Sequence, residues 1–136
     1  MVEKMGDLRY EYEKTKYMLE QKIKELFVND CSGHDYWHSI RVLNVVEKIS
    51  KTEKCDKYIV MIAALLHDVD DTKIFGTVDY KNARCIMSEC YLTEDTIDHV
   101  IDIIKEISFK GTETISPKPI EGKIVQDAYR LDAMGQ

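Results

Sequence analysis

His34, His38, the adjacent pair His67 and Asp68, and Asp127 are the residues whose types could share one divalent cation. Neutral imidazole nitrogens mixed with carboxylate oxygens suit zinc, iron, manganese, cobalt or nickel, and suit calcium, which prefers oxygen alone, less well. A cation held this way lowers the pKa of bound water, so hydrolysis is chemistry the set could run. Spacing by itself leaves plainer roles open. Two histidines four residues apart are common by chance. A His-Asp pair closing an apolar helix also reads as the polar end of that helix, with the aspartate disfavoured by the dipole. His99, between Asp98 and Asp102, reads as a solvated side chain.

Helices must bring these residues together, because apolar residues recur at helical spacing almost throughout and no segment alternates with period two long enough for a strand. Tyr12, Leu19, Ile23, Leu26 and Phe27 form the stripe of a first helix that ends near Val28, where Asn29, Asp30, Ser32 and Gly33 supply turn chemistry. A second helix from about Asp35 to Ser50 carries Ile40, Leu43, Val46 and Ile49 on one face, and opens with His38 on the side from which Arg41 projects. The third runs from about Asp56 to Leu66, apolar on all sides, which marks a central helix; His67 and Asp68 close it. Ala83, Ile86 and Met87 suggest a fourth helix. Thr93 reads as the N-cap of a fifth bearing Ile97, Val100, Ile101 and Ile104. The stretch from Gly111 to Pro119 breaks the pattern. Ile124, Val125, Ala128 and Leu131 begin a sixth helix, whose Asp127 can face the same point as the histidines. The expected fold is an all-α bundle of about six helices.

Length and composition bound the alternatives. A chain of 136 residues has room for one domain, and 44% hydrophobic against 32% charged residues is a globular balance. Nineteen basic residues against 25 acidic ones leave a net charge of −6, which repels nucleic-acid polymers, and no local basic patch offsets it. Cys31, Cys55, Cys85 and Cys90 form no C-x-x-C pair and are too few for a disulfide scaffold. Met1 to Glu20 lacks the apolar core of a signal peptide, and no apolar run approaches the roughly 18 residues of a membrane span. The expected location is the cytoplasm, with no membrane partner.

Three strings carry a family resemblance. They are His38-Ser39 with Arg41-Val42, the run Ala63-Ala64-Leu65-Leu66-His67-Asp68-Val69-Asp70-Asp71, and the run Val125-Gln126-Asp127-Ala128-Tyr129-Arg130-Leu131-Asp132-Ala133. Over about residues 20 to 136 the chain resembles the HD-domain superfamily of metal-dependent phosphohydrolases. Ile107-Ser108-Phe109-Lys110-Gly111 is similar to a segment in a branch of small bacterial members. The resemblance implies an HD-domain helical bundle filling residues 1–136, with His38, His67, Asp68 and Asp127 as ligands of a divalent ion: manganese, iron, cobalt, nickel, zinc or magnesium. His34 would line the pocket. Asp70, Asp71 and Lys73 would serve water activation or phosphate contact.

The implied activity is hydrolysis of a nucleotide or another small phosphate ester. Asp68 or Asp71 could accept the water proton, and Arg41, Lys73 or Lys110 could offset the phosphate charge. The chain departs from the branch in three ways. Ile107 stands where relatives often carry His. Tyr129 replaces an acid beside Asp127. Relatives continue past the string ending at Gly135, whereas this chain stops at Gln136. The expected consequences are uncovered apolar surface, self-association into a homo-oligomer, and a second functional reading as a non-catalytic module that binds metal or nucleotide.

Overall fold

Burial of apolar stripes on six helices builds the architecture, in a computed structural model that describes residues 2–28, 34–70, 77–110 and 119–134, with side chains over 9–28, 36–70, 77–107 and 119–132. The elements are α1 (Val2–Val28), α2 (His34–Ser50), α3 (Lys57–Leu66), α4 (Lys81–Glu89), α5 (Glu94–Lys110) and α6 (Ile120–Met134). The all-α expectation holds: the described residues contain no strand.

The helix that is apolar all round sits in the middle. Every residue from Ile59 to Leu66 is buried, and α3 packs against α1, α2, α5 and α6. Each large side chain taken fully out of water there contributes about 1.5 to 3 kcal/mol. Asp56 starts the helix by accepting the Ile59 amide at 3.2 Å, which satisfies one of the donors a helix start leaves unpaired. Thr93 does the same for α5, its hydroxyl accepting the Thr96 amide at 3.2 Å.

Around α3 the other helices are tied by a few specific contacts. Leu19, Ile23 and Phe27 of α1 are buried, while Tyr12 donates to Glu47 at 2.8 Å and Lys16 bonds the same carboxylate at 3.2 Å, joining α1 to α2. α2 also lies along α6. Of the apolar residues that define α6, Ile124, Val125 and Ala128 are buried, and Leu131 is 52% exposed. Cys55, Cys85 and Cys90 are free thiols. No helix among the described residues is long and apolar enough to cross a membrane.

α4 has unusual ends. Asp79 and Tyr80 lead into it with φ of 55°, and Tyr91 follows it at φ 66°, all in the left-handed region that costs a residue with a Cβ about 1 to 2 kcal/mol. At the C-terminal end that conformation lets the Tyr91 amide reach Ser88 at 3.1 Å and the Leu92 amide reach Met87 at 3.1 Å, the paired closing bonds of a helix stop usually given to glycine. At the N-terminal end Tyr80 offers no side-chain cap. The acceptor comes from elsewhere in the chain, as the site shows.

Candidate metal centre

α3 ends at its own carbonyls, and this fixes the first imidazole. The His67 Nδ1 lies 2.7 Å from the carbonyl oxygen of Ala64, one turn back, so it carries the proton and donates. In the neutral ring Nε2 is then a lone pair. That atom is buried and has no hydrogen-bond partner, although Asp68 Oδ2 is 3.2 Å away, because a lone pair and a carboxylate oxygen are both acceptors.

The second imidazole comes from the first turns of α2 and is fixed differently. His38 Nδ1 lies 2.8 Å from Asp132 Oδ2, and its Nε2 lies 3.2 Å from the same Asp68 Oδ2. The Asp132 carboxylate is held in turn by Arg41, whose Nε donates to Oδ1 at 2.9 Å and whose Nη2 donates to Oδ2 at 3.4 Å. Asp132 arrives from α6 with its side chain only 8% exposed.

Three donors therefore converge from two sides: His38 Nε2, His67 Nε2 and Asp68 Oδ2 lie within 4.8 Å of one another. Around a tetrahedral ion with bonds of about 2.1 Å, neighbouring donors stand roughly 3.4 Å apart, close to the 3.2 Å from Asp68 to each ring. The His67 Nε2 lone pair and the ionised Asp68 oxygen face each other and His38 Nε2, an arrangement relieved by a proton on His38 or by a cation among the three. The residues present fit a divalent ion.

Protonation obeys the same logic. His38 is raised above the ordinary imidazole range, chiefly by its hydrogen bond to Asp68, against the opposing effect of burial and with the help of Asp132. For Asp68, burial is the largest influence and works upward, yet the neighbouring imidazoles of His67 and His38 outweigh it and hold the carboxyl far below its usual range. Asp132 is lowered first by the Arg41 hydrogen bond, then by His38, against burial. The carboxylates stay ionised, and a proton on His38 relieves the crowding of lone pairs that a metal would relieve better.

The remaining sequence candidates fall in different places. Asp127 is half-buried on α6, two residues before Tyr129, and is not among the donors gathered within 4.8 Å. Arg41 is engaged with Asp132. Asp70 does not face the donors as a free base: its Oδ1 accepts Thr77 Oγ1 and the Asn82 amide (2.8 Å for the latter), and its Oδ2 accepts the Ala83 amide at 2.9 Å. It is the missing cap of α4, reinforced by Asn82 Nδ2 donating to the Val69 carbonyl at 2.8 Å. His99 is exposed, as expected. Asp71 and Lys73, and the side chains of His34 and Lys110, lie outside the described residues.

Two participants escaped the sequence reading. Tyr129 stands its ring nearly perpendicular to both imidazoles, 5.2 Å from His38 and 5.4 Å from His67 between centroids. Asp132 is the other. Its signal was the turn-spaced pair His38 and Arg41, two donors on one face of α2 that call for a common acceptor, but spacing does not say which helix supplies it. A cavity of about 1040 Å³ between α1, the end of α2 and the start of α3, lined by Tyr12, Glu47, Cys55 and Tyr58 among others, includes none of these residues.

A helical bundle that gathers two imidazoles and a carboxylate where a central helix ends defines a class of helical proteins with a donor set fitted to a metal, and comparison with known sequences makes the class specific. The HD-domain profile matches residues 36–134, and the chain belongs to the HD-domain family. The protein YpgQ of Bacillus subtilis (strain 168) is 38% identical, over 83% of this chain and 57% of its own length. A crystal structure of an HD-superfamily hydrolase from Bacillus thuringiensis superposes with a TM-score of 0.68 at 34% identity, covering 92% of this chain and 58% of that one. The structure of YpgQ in complex with ADP gives 0.70 at 31% identity, covering 90% and 60%. The chain thus spans a little under two thirds of the length of these relatives.

Proposed function

We propose that the chain is the metal-holding part of a phosphohydrolase acting on a nucleotide or another small phosphate ester. The observation that carries the reading is the meeting of three lone-pair donors, His38 Nε2, His67 Nε2 and Asp68 Oδ2, at the end of α3. ADP in the YpgQ structure supports the choice of nucleotide as substrate class. Asp127, on the helix that also carries Tyr129, would become the fourth ligand by turning its carboxylate toward the three donors, from which it stands apart here. When bound, a divalent ion such as manganese, iron, cobalt, nickel, zinc or magnesium acidifies water and draws charge from a phosphoryl oxygen. Asp68, ionised and 20% exposed, or Asp71 accepts the proton of the attacking water. Arg41, anchored to Asp132 yet 45% exposed, supplies positive charge beside His38, and Lys73 and Lys110 add to it in a chain whose net charge would otherwise repel phosphate. The free thiols fit a cytoplasmic location.

One observation favours a second reading. Tyr129 packs against both imidazoles where the family pattern carries an acid, as suits a module that binds metal and nucleotide without turnover. The test is phosphate release from nucleoside mono-, di- and triphosphates by protein stripped with chelator and reloaded with manganese or zinc. Metal-dependent release supports the enzyme. Metal and nucleotide binding with no release supports the module. Failure to bind any of the metals overturns both.

A further inference from the structure

We infer that Asp132 and Arg41 act as a pair to set which nitrogen of His38 carries its proton, and that Arg41, by claiming one carboxylate oxygen, dictates what Asp132 shows the ring. The inference rests on the metal-holding reading of His38, His67 and Asp68. Its material is the chain of bonds from α2 to α6 and back. Asp132 Oδ1 accepts Arg41 Nε at 2.9 Å, and Oδ2 accepts the His38 Nδ1 hydrogen at 2.8 Å. A neutral imidazole has one N–H. Committed to Asp132 at Nδ1, that proton leaves Nε2 as the lone pair facing Asp68 and His67. Hydrogen bonding of the remote ring nitrogen fixes tautomer and plane in this way at many metal centres, and loss of the partner typically costs about 10- to 100-fold in metal affinity.

Arg41 sharpens this. A guanidinium only donates, so whatever lies against its Nε must be an acceptor, which at position 132 means an oxygen. A carboxylate has two oxygens and satisfies Arg41 and His38 together. An asparagine at 132 has one. The shorter of the two Arg41 contacts, 2.9 Å at Nε against 3.4 Å at Nη2, claims it. The amide nitrogen then faces His38 Nδ1 and donates to it. The ring must accept at Nδ1, its proton moves to Nε2, and the atom that should face the ion becomes a donor. Without Arg41 the same asparagine is free to turn its oxygen toward Nδ1 and restore the productive tautomer. Asp132 and Arg41 are positioning residues in this scheme, acting through His38. His67 needs no such pair, because its Nδ1 is held by the Ala64 carbonyl.

Competition titration with zinc and manganese ions tests the scheme on four proteins: the unaltered chain, Asp132→Asn, Arg41→Ala, and the two substitutions together. Circular dichroism confirms that each is folded. Asp132→Asn should bind about 10- to 100-fold more weakly. Arg41→Ala should lose less, since the carboxylate remains. The double variant should bind more tightly than Asp132→Asn alone, a recovery that loss of structure does not produce. Two-bond ¹⁵N spectra of the neutral ring should show the His38 proton on Nδ1 in the unaltered chain and on Nε2 in Asp132→Asn. A double variant as weak as Asp132→Asn, or an unchanged tautomer in Asp132→Asn, overturns the inference. An unaltered chain that binds neither ion overturns the metal reading instead, and the nitrogen spectra then still decide the tautomer.

Discussion

The two imidazoles at the centre are supported in opposite ways. His67 belongs to the exit of α3, where its orientation follows from the chain a single turn away: Ala64 lends a carbonyl, and the ring is almost wholly buried. His38 belongs to the seam between α2 and α6, where orientation depends on side chains more than 90 residues apart and on a partly exposed arginine. The first arrangement is built into a buried helix and changes only if the helix does. The second exists only while two helices keep their register, so it is the side on which substitution can tune the centre.

Removing the locally supported ligand should have the largest effect. His67→Ala deletes one of three converging donors and leaves α3 its apolar faces, so metal binding should fall beyond the about 10- to 100-fold expected for a lost orienting partner, with the helical signal retained. Metal titration with circular dichroism checks both halves, and undiminished affinity would place the ion elsewhere. A smaller effect is expected where the α3 exit passes into α4. Asp70→Ala leaves the Asn82 and Ala83 amides without their acceptor and should lower stability by about 1 to 2 kcal/mol in urea denaturation. Metal affinity should stay near its original value. Were it to drop as far as in Asp132→Asn, the exit and the seam would not be the independent supports described above. Smallest is a change at the far end of α4. Tyr91→Gly relieves a left-handed residue that is almost fully exposed and should raise stability by about 1 kcal/mol, read as a higher urea midpoint, with no change in metal binding.

The same contrast explains what the amino-acid order revealed. The six helices were legible because their apolar residues repeat at three and four, and α3 stood out because its faces are apolar all round. Asp56 and Thr93 were readable as helix starts, since a cap lies beside the amides it serves. His67 and Asp68 were equally local. The cap that Asp70 gives to α4 was not legible, because the amides it serves lie 12 and 13 residues further on. Asp132 appeared only as part of a family-like string, because its role requires α6 to lie along α2 with a definite register. Tyr129 looked like a lost acid; only packing shows its ring against both imidazoles.

The double grip of Asp70 has a consequence for the length of chain that follows it. It accepts the Thr77 hydroxyl on one side of a short stretch and the start of α4 beyond it, so the residues from 71 to 76 connect two points already bonded to each other. Lengthening such a connection adds only closure entropy, about 0.6 kcal/mol for each doubling. Asp71 and Lys73 belong to that stretch. A change of length there leaves the Asp70 bonds to Thr77 and to the start of α4 in place, and with them the exit of α3 that carries His67 and Asp68.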